Sequence, residues 1–103
     1  MTNQAGIAKG YYTEKHYLEF QTWVESYLWK EEVKIEKTYY CPHHVDGVVE
    51  MYKKICDCRK PRPGMFLVAA REYNIDLESS VFIGDSDSDA LAASAVGCKF
   101  IRV

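Results

Sequence analysis

The feature that most restricts the fold of this chain is a pair of short metal-ligand segments, Cys41-Pro-His43 and Cys56-Asp-Cys58. Three thiolates and one imidazole complete a tetrahedral zinc shell, and two ligands one residue apart form a chelating clip at each end. We therefore predict a structural zinc bound by these four residues, in a loop over about residues 41–58. A shell of four protein ligands leaves no position for a catalytic water. Unpaired thiols beside an incidental histidine are the alternative interpretation.

Two further residues carry the same kinds of side chain. His44 competes with His43 as the imidazole ligand. Neighbouring side chains in an extended segment point to opposite sides, and we favour His43. Cys98 follows a glycine that ends a predicted helix, and we expect it in the core. A disulfide scaffold is the weaker interpretation, because the first residues lack the pattern of a secretory signal.

The composition excludes several classes of protein. The chain has 103 residues, which suits one domain over residues 1–103, and its formal net charge is -2. That charge disfavours a protein that binds nucleic acid by neutralising phosphates. With 48% hydrophobic residues the chain is not disordered, and its apolar runs are far shorter than the roughly 20 residues of a membrane span. We expect a cytoplasmic protein without a nucleic-acid or membrane partner; the sequence does not indicate an oligomeric state.

The order of the helix and strand patterns predicts an α/β fold. Thr13 is a suitable N-cap for a helix over residues 13–30. The apolar stripe of this helix consists of Tyr17, Phe20, Trp23, Val24, Tyr27 and Leu28. A β-prone run over residues 35–40 ends at Cys41, and an irregular loop follows it to residue 64. Helices are predicted at residues 64–73 and 88–96, and strands at 80–83 and 99–103. This alternation is typical of a parallel sheet, which binds ligands at the carboxyl ends of its strands.

Acidic residues follow the predicted strand at residues 80–83, in the run Ile83-Gly-Asp85-Ser-Asp-Ser-Asp89. Carboxylates at a strand end suit Mg²⁺, a hard cation that prefers oxygen ligands. The alternative is a solvated acidic loop in which Asp87 or Ser88 caps the next helix.

Two other segments carry groups suited to binding phosphate. Arg59 and Lys60 directly follow Cys58, and an arginine fork beside a lysine charge suits an anionic substrate, although a solvated basic loop is the simpler interpretation. The run Thr2-Asn3-Gln4-Ala5-Gly6 offers a hydroxyl, amides and backbone N–H groups. Together with an acidic metal site, a lysine and a hydroxyl are the groups that phosphoryl transfer uses.

These motifs resemble those of the D-glycero-D-manno-heptose 1,7-bisphosphate phosphatases of the haloacid dehalogenase superfamily, which are close to the histidinol-phosphatases. The resemblance covers nearly the whole chain. It rests on Thr2-Asn-Gln-Ala-Gly-Ile-Ala-Lys-Gly10, Tyr40-Cys-Pro-His-His44, Cys56-Asp-Cys-Arg-Lys-Pro-Arg-Pro-Gly64 and Ile83-Gly-Asp85. It implies a Rossmann-like parallel sheet with a zinc loop, and Mg²⁺-dependent removal of a phosphate from a sugar bisphosphate in the synthesis of heptose precursors of lipopolysaccharide.

The resemblance also implies roles for individual residues. Thr2 and Lys60 match the threonine and lysine that stabilise the phosphoryl group. The implied substrate-binding residues are Thr2, Asn3, Gln4, Ala5, Arg59 and Lys60, with a small sugar phosphate as the partner. Asp85 would bind Mg²⁺, and the implied zinc ligands are Cys41, His43, Cys56 and Cys58.

Two departures from the family pattern affect the expected activity. Ser86 stands where many relatives carry a lysine after the metal aspartate. The first strand of the family, which ends in Asp-x-Asp with the nucleophile and the acid/base, has no counterpart in these residues. We therefore expect an N-terminally shortened member whose isolated chain is inactive or nearly so. The alternatives are a non-catalytic zinc-binding fragment and a histidinol-phosphatase-like enzyme.

Overall fold

A computed structural model describes all 103 residues of the chain, which form two compact units. The C-terminal unit comprises Met1, Tyr39–Cys41 and Cys56–Val103, and the N-terminal unit comprises Thr2–Thr38 and Pro42–Ile55. In chain order the elements are β1 (Thr2–Asn3), α1 (Ala5–Ala8), α2 (Glu14–Lys30), β2 (Tyr40–Cys41), a 3₁₀ helix (Glu50–Tyr52), α3 (Gly64–Tyr73), a second 3₁₀ helix (Leu77–Ser79), β3 (Val81–Gly84), α4 (Asp87–Ala95) and β4 (Lys99–Arg102). None of these helices is both long enough and apolar enough to cross a membrane.

Two parallel strands joined by a helix form the centre of the C-terminal unit. β3 pairs with β4 in a register that runs from Val81 opposite Lys99 to Gly84 opposite Arg102. A tight turn cannot connect parallel neighbours, and α4 makes the crossover between them. The predicted α/β class with a parallel sheet is therefore confirmed. The carboxyl ends of both strands lie at one edge of the sheet, where a ligand site is expected.

Aromatic rings pack on one face of these two strands. The ring of Phe66 in α3 lies edge-on to that of Phe82 in β3, with centroids 4.7 Å apart, and Phe82 lies 6.2 Å from Phe100 in β4. Small and apolar side chains complete this core, namely Met65, Ala69, Ala92, Ala93 and Cys98. The expected core position of Cys98 is thus confirmed.

Helix α2 dominates the N-terminal unit and begins where the sequence predicts. Thr13 is its N-cap, and the Thr13 hydroxyl accepts a hydrogen bond from the backbone N–H of His16 at 3.1 Å. The predicted apolar stripe is only partly buried: Tyr17 is buried, whereas Phe20, Trp23 and Tyr27 are exposed. The three exposed rings stack on one another at centroid distances of 6.3 and 5.9 Å, which shields part of each ring from water.

The remaining differences from the predicted elements concern short segments. Helix α1 is not among the predicted helices, and its last carbonyl, that of Ala8, accepts the backbone N–H groups of Val48 at 2.8 Å and Val49 at 3.0 Å. The β-prone run at residues 35–40 forms a strand only at Tyr40–Cys41, and the irregular loop after it includes the 3₁₀ helix Glu50–Tyr52. The bounds of α3 agree with the prediction, and those of β3, α4 and β4 differ by one residue.

Candidate functional site

The C-terminal unit contains a buried ion pair between Lys60 and Asp89. Lys60 Nζ lies 2.5 Å from Asp89 Oδ1, and the two side chains are 10% and 7% exposed. Lys60 Nζ also donates to the carbonyl oxygen of Met1 at 3.1 Å and lies 5.7 Å from the ring centroid of Phe82. Burial alone would raise the pKa of Asp89, but hydrogen bonds from Lys60 and Ser86, together with the Lys60 charge, lower it to about 2. The Asp89 carboxylate is therefore ionised at neutral pH and fixes the lysine in place.

Asp89 also fixes the loop between β3 and α4. Its Oδ2 accepts the backbone N–H groups of Asp85 at 3.2 Å and Ser86 at 3.3 Å, and Ser86 Oγ accepts the backbone N–H of Asp89 at 3.2 Å. These reciprocal bonds form a capping box, and Ser86 is therefore the N-cap of α4. The alternative from the sequence, a cap at Asp87 or Ser88, is wrong. A Cβ on Gly84 would lie 2.6 Å from Asp89 Oδ2, and this close approach requires a glycine.

Asp85, the predicted magnesium ligand, directly follows β3 and is exposed. Its carbonyl oxygen accepts a hydrogen bond from Arg102 Nη1 at 3.0 Å, and Arg102 Nη2 forms an ion pair with Asp87 Oδ1 at 2.7 Å. Because Asp89 contacts both Lys60 and the backbone of Asp85, a buried ammonium and an exposed carboxylate lie at the same edge of the sheet. The structure thus brings these two predicted site residues to one place.

The loop around Cys58 is folded by hydrogen bonds to its own backbone. Arg62 N–H donates to the Arg59 carbonyl at 2.8 Å, Arg62 Nη1 donates to the Cys56 carbonyl at 2.7 Å, and Gly64 N–H donates to the Asp57 carbonyl at 2.8 Å. Within this loop Arg59 Nη1 is buried and has no hydrogen-bond partner. A buried donor without an acceptor costs free energy, so Arg59 is suited to receive an anionic ligand.

Three thiols converge in the C-terminal unit. Cys58 Sγ lies 2.7 Å from Cys41 Sγ, and Cys56 Sγ lies 3.4 Å from each of the other two sulfurs. None of these cysteines forms a disulfide. Burial and the neighbouring sulfurs of Cys41 and Cys56 raise the pKa of the Cys58 thiol, because thiolates at such distances repel one another. A cluster of three sulfurs fits the donor preference of zinc.

The two histidines of the predicted zinc loop belong to the N-terminal unit and differ in their surroundings. His44 Nδ1 accepts the backbone N–H of Asp46 at 3.0 Å. Burial and the charge of Lys54 lower the pKa of His43, while Glu14 opposes that shift. The shift favours the neutral imidazole, the form that binds metals. The choice of His43 over His44 as a ligand stays a prediction, and the engagement of His44 Nδ1 favours it.

The predicted substrate segment at the start of the chain is ordered by side-chain hydrogen bonds. Gln4 Nε2 donates to Thr2 Oγ1 at 2.9 Å, and the hydroxyl of Tyr12 donates to Gln4 Oε1 at 2.5 Å. Asn3 lies in β1, and Ala5 begins α1. Sequence reasoning missed Tyr12, which no local pattern marks. It also missed Asp89, which the Ser-x-x-Asp spacing of a capping box indicates.

Known proteins similar to this chain are phosphatases. Residues 57–103 match the HAD-hydrolase-like family. The D-glycero-beta-D-manno-heptose-1,7-bisphosphate 7-phosphatase of Photorhabdus laumondii is 48% identical over 103 residues, which cover 98% of this chain and 55% of that protein. The D-glycero-alpha-D-manno-heptose-1,7-bisphosphate 7-phosphatase of the same organism is 45% identical over 97 residues, which cover 94% and 53% of the two proteins.

A solved structure supports the same relationship. The D,D-heptose 1,7-bisphosphate phosphatase from B. bronchiseptica, crystallised with magnesium and phosphate, matches this chain with a TM-score of 0.83 and 32% identity. The match covers 95% of this chain and 51% of that one, and the chain spans about half the length of the curated relatives it matches. The resemblance read from the motifs is confirmed.

Proposed function

We propose, on the premise that this chain is a haloacid dehalogenase-like phosphatase relative, that it supplies metal- and phosphate-binding residues to a magnesium-dependent sugar bisphosphatase. The proposed substrates are the D,D-heptose 1,7-bisphosphates, because the relatives described above are phosphatases of these compounds. The observation that carries the proposal is the position of Asp89, whose two oxygens bind Lys60 and the backbone of Asp85.

Asp85 is the proposed magnesium ligand. A carboxylate at the carboxyl end of β3 is a hard oxygen donor of the kind that Mg²⁺ prefers. Bound there, Mg²⁺ would offset negative charge on a phosphoryl group. The ammonium of Lys60, fixed by Asp89, would stabilise charge on the phosphate oxygens from a position that needs no rearrangement. The B. bronchiseptica phosphatase was crystallised with magnesium, which supports magnesium as the metal of this proposal.

Substrate contacts are proposed for one arginine and for the first residues of the chain. Arg59 supports the proposal because its buried Nη1 lacks an acceptor, and a guanidinium binds a phosphate through two parallel hydrogen bonds. In the N-terminal unit the proposed contacts are Thr2, Asn3, Gln4 and Ala5. Among them Thr2 would donate its hydroxyl proton to a phosphate oxygen.

Zinc is proposed as a structural ion bound by Cys41, His43, Cys56 and Cys58. The convergence of the three sulfurs supports this set, and a divalent cation would remove the repulsion that three adjacent thiolates otherwise experience. Because Arg59 and Lys60 directly follow Cys58, an ion at the cysteines would hold the start of the segment that carries both cations.

The test is release of inorganic phosphate from D-glycero-D-manno-heptose 1,7-bisphosphate, supplied as either anomer, by the protein that contains these residues. We expect release to require Mg²⁺ and to fall about 100-fold or more in Asp85→Asn, since a lost metal ligand removes charge stabilisation at the phosphate. Asp87→Asn is the matched control, because Asp87 is an exposed carboxylate two residues away, and it should retain activity.

Other results would favour a different function or contradict the proposed role of Asp85. Faster release from histidinol phosphate than from the heptose compound would favour a histidinol-phosphatase-like enzyme. Zinc binding without release from either substrate would contradict the proposed activity and favour a non-catalytic zinc-binding protein. Equal activity in Asp85→Asn and Asp87→Asn would contradict the assignment of Asp85.

A further inference from the structure

Three side chains of the N-terminal unit form a hydrogen-bonded chain that ends on Thr2. The Tyr12 hydroxyl donates to Gln4 Oε1 at 2.5 Å, and Gln4 Nε2 donates to Thr2 Oγ1 at 2.9 Å. All three residues are partly buried, which limits competition from water. Tyr12 is eight residues away from Gln4 and lies beyond α1, and the contact therefore depends on how this segment folds.

The direction of these bonds decides what the Thr2 hydroxyl can do. A glutamine amide has one accepting oxygen and one donating nitrogen, and a phenol O–H at Gln4 Oε1 therefore leaves the NH₂ group facing Thr2. A threonine hydroxyl has a single proton. When its oxygen already accepts from Gln4, that proton is directed to another acceptor. The oxygens of a phosphate dianion only accept hydrogen bonds and suit this proton.

The ring of Tyr12 lies directly against Gly6, in space that a side chain at this position would fill. A Cβ on Gly6 would lie 2.3 Å from Tyr12 Cε1 and 2.8 Å from the hydroxyl oxygen. Gly6 lies within α1, where alanine is the better helix former, and the glycine thus has a packing role. The absence of a side chain at Gly6 thus gives the Tyr12 ring room to reach Gln4.

We propose that Tyr12 is a positioning residue that acts through Gln4 to keep the Thr2 proton directed at the phosphate of the substrate. The inference rests on the proposed phosphate-binding role of Thr2. Without the Tyr12 hydroxyl, the Gln4 amide is free to turn over and to accept the Thr2 proton on Oε1. The Thr2 hydroxyl then donates within the protein, and the phosphate loses a hydrogen bond.

The experiment measures the dissociation constant of inorganic phosphate by calorimetry in Tyr12→Phe, Thr2→Val and the double variant. We expect each single substitution to weaken binding about tenfold, the effect of one hydrogen bond to a charged group. The double variant should bind as Thr2→Val does, because Tyr12 acts only through the Thr2 hydroxyl. Tyr11→Phe is the matched control, since Tyr11 is 77% exposed, and it should leave the constant unchanged.

Additive losses in the double variant would overturn the inference, because Tyr12 would then act by a route other than Thr2. No loss in Tyr12→Phe beside a tenfold loss in Thr2→Val would also overturn it, and would leave the proposed role of Thr2 intact. No loss in Thr2→Val would contradict that proposed role, and the inference with it. If thermal unfolding shows that Tyr12→Phe does not fold, Gly6→Ala takes its place in the cycle with the same expected results, because the added Cβ would lie 2.3 Å from Tyr12 Cε1 and displace the hydroxyl from Gln4.

Discussion

Lys60 and Asp89 form an ion pair in the interior of the C-terminal unit, with Nζ 2.5 Å from Oδ1. A buried pair of this kind adds little net stability, because the cost of removing two charges from water offsets their attraction. The ion pair instead fixes the positions of the two side chains. The second oxygen of Asp89 binds the backbone N–H groups of Asp85 and Ser86, and one carboxylate therefore orients both the lysine and the proposed magnesium loop.

Removing one member of this pair should destabilise the protein more than removing both. Lys60→Met leaves the Asp89 carboxylate buried without a cation, and we expect the free energy of unfolding to fall by about 3–5 kcal/mol. Lys60→Met combined with Asp89→Asn leaves no buried charge, keeps an oxygen for the backbone N–H groups of Asp85 and Ser86, and should lose less. Urea unfolding monitored by circular dichroism measures both values.

The exposed ion pair between Arg102 and Asp87 is the control for that comparison. The Asp87 side chain is 93% exposed, and Asp87→Asn should change the free energy of unfolding by at most about 1 kcal/mol. A loss in Asp87→Asn as large as in Lys60→Met would contradict the argument from burial.

Acid should destabilise the folded protein through Asp89. The pKa of this carboxyl is about 2 in the folded protein, below its ordinary value of 3.8, and folding favours the ionised form. The stabilisation is therefore fully present above about pH 4 and is lost as the pH falls towards 2. At about 1.4 kcal/mol for each pKa unit, it amounts to about 2 kcal/mol.

Urea unfolding of the metal-free protein and of Asp89→Asn, compared between pH 2 and 6, measures this contribution. We expect the difference in unfolding free energy between the two proteins to shrink by about that amount as the pH falls. A difference that stays constant over the whole range would show that Asp89 has no lowered pKa.

Zinc should be present at one equivalent for each chain, as measured by elemental analysis of the purified protein. Replacing Cys56 and Cys58 together by serine removes two of the four proposed ligands, and we expect the zinc content to fall close to zero. Cys98→Ser is the matched control, because Cys98 lies in the core of the C-terminal unit, and it should keep the zinc. Unchanged zinc in the double variant would refute the ligand set.

The same measurement decides between the two histidines. We expect His43→Ala to lose zinc and His44→Ala to retain it, because Nδ1 of His44 already accepts the backbone N–H of Asp46. The reverse result would identify His44 as the fourth ligand.

Local sequence patterns were sufficient to predict features whose signals lie in neighbouring residues. The bounds of α3 were predictable because Pro63 directly precedes its first residue, Gly64. Asn74 directly follows its last residue, Tyr73, and has the left-handed backbone conformation common at helix ends. The convergence of Cys41, Cys56 and Cys58 was predictable for a similar reason, since the spacing of the cysteines is itself the signal.

Elements and roles that depend on distant contacts were not predictable. Helix α1 has four residues, and its last carbonyl is bound by backbone groups some 40 residues later, at Val48 and Val49. The exposure of Phe20 and Trp23 was not predictable either, because helical spacing shows which residues share a face but not what covers that face. The double role of Asp89 depends on Lys60, which lies 29 positions earlier in the chain.

The interior face of α4 has a consequence for how this protein tolerates change. Ala92 and Ala93 are fully buried where α4 meets the strands, and Asp89 lies one turn earlier on the same helix. A bulkier residue at either alanine would push the whole helix outward, since an alanine-sized gap cannot absorb it. Such a shift would move Asp89, and with it both the oxygen that pairs with Lys60 and the oxygen that holds the backbone of Asp85 and Ser86. The small size of these two alanines is thus a condition for the alignment of the Lys60 ammonium with the Asp85 carboxylate.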